Sequence, residues 1–312
     1  VTDDSDDTNR STRQVHVADI YVDDDQSPDW YDHSHVRTIQ EGVDNASTGN
    51  LIHVLEGTYP EQVVVDKPVT IAGKDATVDG IGGTAFTVTA ATTVLHELRI
   101  INTAQAAVVL ADNVTINGCQ LDTSAGGIRI QGDHAHVTSN TFQQAYGAGA
   151  AVHIEGSHTY VAYNAFMQTP DGVAIVDGSN HTLEDNSFRD AIHAVQVKNA
   201  QDCYIQGNLF RDNHVAIDII NQGCIIDDND LHNNDKAILL RAMGSSVVNN
   251  ALTGNTVGIE VTGHFNAITH TTIRDSQEAA IRLFTSSGTD VSDCILSGNT
   301  VDIDARDNGQ TM

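Results

Sequence analysis

A short motif, Asn-x-Phe or Asn-x-Leu, returns every 21–24 residues through the middle of the chain, and that period limits the fold more than any other feature. The segments read VTSNTF (137–142), VAYNAF (161–166), LEDNSF (183–188), IQGNLF (205–210), IDDNDL (226–231) and VVNNAL (247–252). Looser copies flank them: INGCQL (116–121), ITHTTI (268–273) and VSDCIL (291–296). They define an apolar column of Leu121, Phe142, Phe166, Phe188, Phe210, Leu231, Leu252, Ile273 and Leu296, with Leu98 expected to begin it. Typically seven residues later comes an apolar alternation, from Ile128-x-Ile130 through Val195-x-Val197 to Ile281-x-Leu283. Alternation marks a strand with one buried face. One such unit cannot bury its own apolar side, whereas stacked units can. The sequence therefore predicts an all-β fold, a single-stranded right-handed parallel β-helix of about ten coils. At the usual inter-strand spacing its length is roughly 45–50 Å.

The Asn before each Phe or Leu (Asn140, Asn164, Asn186, Asn208, Asn229, Asn250) is expected to close a corner and bond the next Asn, satisfying buried polar groups. Cys203 and Cys224 fall at matching positions of consecutive coils; Cys119 and Cys294 occupy the Asn column near opposite ends. All four read as small buried thiols, with a Cys203–Cys224 disulfide left open.

Residues 1–35 read as an acidic lead-in with a first strand, 36–305 as the β-helix and 306–312 as a C-terminal tail. In VRTIQEGVDNA (36–46), Val36, Ile39 and Val43 have helical spacing, which predicts a short helix capping the open end.

Charge narrows the function. The chain carries 42 Asp and Glu against 15 Lys and Arg, a net charge of −27, so nucleic-acid phosphates would be repelled. Of the acids 34 are Asp, and only four of the bases are Lys. Two explanations compete: a carboxylate-rich surface that stays hydrated in concentrated salt, and carboxylate cages for Ca²⁺. No stretch approaches the roughly 20 apolar residues that span a bilayer. The start at Val1 reads as a processed product, and Asn9, Asn45, Asn113 and Asn180 lie in glycosylation sequons. An extracellular, cell-surface or virion location is expected.

The segment TIQEGVDNAS…LIHVLEGTYPEQVVVDKPVTIAGK resembles the start of NosD-type β-helix proteins, the carbohydrate-binding and sugar-hydrolase group of the pectin-lyase-like superfamily. The later Asn-x-Phe/Leu coils resemble the same family's repeats, and the acidic, Lys-poor composition resembles halophilic archaeal proteins. The resemblance implies the fold over residues 36–305. For function it implies a range: surface proteins, polysaccharide lyases, hydrolases, epimerases and an accessory factor for copper-enzyme maturation.

β-Helix lyases need a base beside a neutralised uronate carboxylate, and hydrolases need paired acids. Outward positions of the second strand bring His153, Glu155, Lys198, Asp218 and Arg241 to one face, the best catalytic cluster in the chain. Arg129 on that face, and Arg189, Arg211 and Arg274 just after the Phe/Leu column, are candidate glycan contacts. Alternation with Asp190, Asp212 and Asp275 also suits a salt-bridged edge. Asp227, Asp228, Asp230 and Asp235, with Asp212 one coil earlier, form the densest acidic patch, and Asp212, Asp227, Asp228 and Asp230 are the candidate Ca²⁺ ligands. The Asp-Pro-His-Asp string of alginate epimerases and the assembled polygalacturonase series are missing. A complete scaffold beside an incomplete catalytic set leads to a non-catalytic module presenting a long face to glycans or neighbouring subunits, a trimer or an envelope or virion protein among them. The rival is a lyase or glycoside hydrolase of acidic polysaccharides, and the third reading is a copper accessory protein.

Overall fold

A computed structural model describes residues 19–122, 126–143, 149–221, 223–284 and 286–306. Its strands form three parallel sheets of 14, 12 and 12 strands, here called A, B and C. Each coil gives one strand to each sheet in that order, as in Cys203–Gln206, Leu209–Arg211 and Val215–Ile219. The β-helix expected from the repeat is present, with about twelve coils rather than ten. The extra coils lie at the N-terminal end, where Leu51–Val54, Gly57–Pro60 and Val63–Val65 already make one turn. They lack the Asn-x-Phe/Leu motif, so a count based on that motif starts too late.

The apolar column is in register and buried. Phe142, Phe166, Phe188 and Phe210 stack with centroids 4.6–4.9 Å apart and planes within 5°. Burying each ring contributes roughly 2–3 kcal/mol. Upstream, the column runs through Ile100, Val78 and Tyr59 rather than Leu98. Leu98 lies two residues before Ile100, so it extends the Cys119–Asn140 line, where an apolar side chain serves because the ladder has ended.

That ladder is built as the repeat requires. From Asn164 to Asn250, each Asn side-chain oxygen accepts from the backbone N–H and Nδ2 of the Asn one coil earlier, at 2.9–3.1 Å, and the Asn140 oxygen accepts from the Cys119 N–H. A second ladder, Asn213–Asn234–Asn255, closes the corner between sheets B and C. It escaped the sequence reading because only three successive coils carry Asn there. Each corner also needs a residue at positive φ, which Asp and Asn tolerate better than other side-chain-bearing residues. Asp75, Asp185, Asp190, Asp202, Asp212, Asp228, Asp275 and Asp293 all hold it.

The N-terminal end is closed by α1, Ile39–Asn45, which buries Ile39, Gly42 and Val43. Thr38 and Glu41 form a capping box, and the Glu61 carboxylate accepts the N–H groups of Ile39 and Gln40 at 2.8 and 3.0 Å. At the other end, Lys67 donates to the carbonyls of Val43, Asp44 and Ala46. The Gln40 carboxamide pairs with both backbone groups of Val64, supplying a substitute neighbour for the edge of sheet C. Among the described residues no helix is long and apolar enough to cross a membrane.

Candidate functional site

Sheet C positions the expected catalytic residues, because its strands present Arg129, His153, Ala174, Gln196, Asp218, Leu239, Glu260 and Arg282 as one outward column. The five residues do not form one cluster. Neighbouring strands are about 4.8 Å apart, so Lys198 stands two coils from His153, roughly 10 Å, and Arg241 four coils, roughly 19 Å. Ala174 intervenes directly beside His153.

Two separate groups result. Glu155 is bound by Arg129 at 2.6 Å, Gln131 at 2.6 Å and His153 at 3.2 Å. Burial alone would raise its carboxyl, but the bonds from Gln131 and Arg129 outweigh burial and hold it below the usual Glu range. Asp218 is fully buried and gripped by the Arg241 guanidinium through both oxygens, with Gln196 donating at 3.1 Å. Farther along, Lys236 and Arg282 flank Glu260. Apart from exposed Lys198, which makes no ion pair with a described residue, the acids and bases named on this face are committed to one another.

The sheet B edge is different. Arg189 and Arg211 are register partners, continued by His232, Thr253 and Arg274. With Asp212 and Asn233, the first three line an open depression of about 370 Å³. Arg189 is 63% exposed and lies 3.5 and 3.6 Å from Asp190 and Asp212, beyond good hydrogen-bond distance. Arg129 belongs to sheet C and not to this edge.

The acidic patch is divided. Asp227 and Asp228 lie at the corner after a sheet A strand, where Asp227 accepts from Asn249. Asp230 opens the next sheet B strand and pairs with His232 at 2.6 Å; Asp212 follows the far end of the preceding sheet B strand. Closeness in sequence does not become closeness in space because a strand separates the two corners. Among the described residues no three His, Cys, Asp or Glu side chains come together as a metal-ligand set.

Of the sequons, Asn9 lies outside the described residues. The Asn45 side chain donates to the His33 carbonyl, whereas Asn113 and Asn180 are exposed at corners. Cys203 and Cys224 are register partners, buried and free. The hydrogen bond to Cys203, reinforced by burial, pushes the Cys224 thiol up. Burial pushes Cys119 up to about 11.

A profile of the family described as "Periplasmic copper-binding protein (NosD)" matches residues 148–311. The chain belongs to the NosD family. The match falls on the regular later coils and not on the N-terminal segment that carries part of the resemblance in sequence. No curated protein matches the chain. Among solved structures, the chain is similar to the A-module of the Azotobacter vinelandii mannuronan C-5 epimerase AlgE4, with TM-score 0.67 and 13% identity over 87% of this chain and 95% of that one. It is also similar to PfbA, a Streptococcus pneumoniae surface adhesin, with TM-score 0.64 and 13% identity over 86% and 94%. A PL6 alginate lyase in complex with a trisaccharide gives TM-score 0.63 and 12% identity over 85% and 83%. At these identities the likeness is one of fold, the right-handed parallel β-helix.

One surface was missed from the sequence. Outward positions of sheet A gather Tyr160, Tyr204, Glu184 and Gln206, with Tyr163 at the adjoining corner. The available signal was an aromatic residue directly before a ladder Asn, where the other coils carry Ser, Gly, Asp or Asn.

Proposed function

We propose that this chain is a non-catalytic β-helix of a cell or virion surface that holds glycans with anionic substituents along its arginine edge. The observation that carries this reading is the contrast between two sets of cations. On sheet C, Arg129, Lys236 and Arg282 each lie 2.6–2.9 Å from a carboxylate, and Arg241 binds buried Asp218. On sheet B, Arg189 and Arg211 lie side by side around an open depression, with only long contacts from Arg189 to Asp. Exposed ion pairs contribute little, so a bidentate carboxylate or sulfate can replace the solvent there. Glycan contact also suits the fold neighbours, which include an alginate lyase bound to a trisaccharide and a bacteriophage tailspike in complex with a pentasaccharide. The surplus of carboxylates suits a surface exposed to high salt.

A lyase centred on His153 is the rival, because its imidazole stands beside Glu155 on an accessible face. Against it, Glu155 is already occupied by Arg129 and Gln131, and Lys198 is two coils away. The family description raises copper, which favours thiolate and imidazole donors. Three of the four Cys are buried, and the described donors assemble no ligand set, so the residues present do not fit a resident copper site.

The test incubates the full chain with uronate oligomers in high salt, with and without Ca²⁺. Binding is expected without an unsaturated product; it should weaken with rising salt and in the Arg189→Ala, Arg211→Ala double variant. Ultraviolet-absorbing unsaturated product that disappears in His153→Ala overturns the reading.

A further inference from the structure

The outward face of sheet A is aromatic and carries no cation in its middle coils. Its strands from Thr115–Asn117 to Ser246–Val248 contain neither Lys nor Arg. Tyr160, Thr182 and Tyr204 follow one another in a single outward column. In the adjacent column, Glu184 Oε2 accepts from the Tyr160 hydroxyl at 2.7 Å and Oε1 accepts from Gln206 Nε2 at 3.0 Å. Donors from the coils on either side therefore hold one carboxylate in place between two tyrosines.

Tyr163 supplies an independent observation. It immediately precedes a ladder Asn and has φ 58°, a conformation that crowds a β-carbon. Ser139, Asp185, Gly207, Asp228, Asn249 and Asp293 fill the same corner in other coils with small or Asx side chains, while Glu97 and His270 fill it with larger ones. Yet Tyr163 is 58% exposed, so burial in the core does not offset the strain. Tyr163 therefore adds a third exposed ring beside the tyrosine column, at a corner that Asn would fill with less strain.

We infer that this face binds an uncharged glycan chain, with Tyr160, Tyr163 and Tyr204 offering ring surfaces to pyranose faces while Glu184 and Gln206 meet hydroxyl groups. Tyr160 and Tyr204 are two coils apart, about 9.5 Å at the usual strand spacing, near the reach of two sugar rings in an extended chain. Aromatic faces supply contact area at little cost in rotamer freedom. On this face a uronate is disfavoured by the fixed Glu184 carboxylate and the absence of Lys and Arg from these strands. This surface is separate from the arginine edge on sheet B, so either can fail without the other.

Titration calorimetry of the full chain with hexamers of β-1,4-linked glucose, mannose and N-acetylglucosamine tests it, with a uronate hexamer as control. At least one neutral hexamer is expected to bind, and Tyr204→Ala and Tyr163→Asn should each weaken it about tenfold or more. Uronate binding should not change in these variants. Asn suits a left-handed corner, so Tyr163→Asn should raise the thermal midpoint while binding falls. Failure of all three neutral hexamers, binding that survives both substitutions, uronate binding that depends on Tyr204, or a lowered midpoint in Tyr163→Asn overturns the inference.

Discussion

The side-chain oxygen of Asn229 accepts two hydrogen bonds from Asn208 at once, 2.9 Å from its backbone N–H and 3.0 Å from its Nδ2. Asn208 Nδ2 also donates to the carbonyls of Leu183 and Gln206. One buried carboxamide thus closes its own corner and fixes the register of the coils above and below. Truncation in Asn208→Ala strands two donors of Asn186 and the Leu183 carbonyl. Unsatisfied buried groups cost about 1–3 kcal/mol each, partly relieved by relaxation, so a loss of about 3 kcal/mol is expected in urea denaturation. Asn208→Asp keeps the acceptor but turns a carboxylate oxygen towards those of Leu183, Gln206 and Asn229, so at neutral pH it should cost at least as much as Asn208→Ala. A change below about 0.5 kcal/mol in Asn208→Ala contradicts the ladder's role.

Phe188 lies between Phe166 and Phe210, 4.6 and 4.9 Å from their centroids. Phe188→Ala opens a cavity inside a closed tube and should cost about 3–5 kcal/mol. Phe188→Leu should cost less, since Leu231 and Leu252 occupy the same column two and three coils on. Equal losses for both would mean that ring stacking, and not filled volume, sets the stability.

How far the sequence could be read follows from what a coil repeats. Phe142 to Phe210 and Asn140 to Asn250 answer to the same neighbours in every turn, so periodicity reveals both their position and their partners. Tyr59, Val78 and Ile100 fill the same column with other side chains, and those coils went uncounted. Sites are less legible, because outward columns are free to vary. The sequence gives the column holding His153, Lys198 and Asp218, but not that Arg241 turns inward onto Asp218 or that Glu155 is taken by Arg129. The Asp surplus, too, has a local component: eight Asp hold corner conformations that Glu would not replace well.

Asp218 and Arg241 give a test of whether the sheet C charges serve structure. Asp218 is fully buried while the Arg241 side chain is 42% exposed. Arg241→Met leaves a buried carboxylate paired only with Gln196 and should cost about 3 kcal/mol, the lower end for a broken buried pair because one partner is solvated. The double variant Asp218→Leu, Arg241→Leu removes the charge altogether and should recover most of that loss, measured as a urea midpoint. If the double variant is no better than Arg241→Met, the pair is not the source of the cost.

His181 sets a pH dependence of defined sign. Its ring is fully buried at the corner entering sheet A, with Nε2 3.2 Å from the Asp177 carbonyl and Nδ1 without a partner. Burial drives its pKa from 6.5 down to about 4, helped by His158 and opposed by the Asp177 carbonyl and Asp133. The folded chain therefore keeps the ring neutral where the unfolded chain protonates it. Stability from this residue is complete above pH 6.5 and is lost as pH falls from there towards 4. The full shift corresponds to roughly 3 kcal/mol. Urea midpoints at a series of pH values should show this slope in the native sequence and a shallower one in His181→Leu, whose side chain cannot take a proton. An unchanged slope between pH 6.5 and 4.5 in His181→Leu would remove His181 as its source, since Glu155, held below its usual range, gives up its contribution only as pH falls below about 4.5.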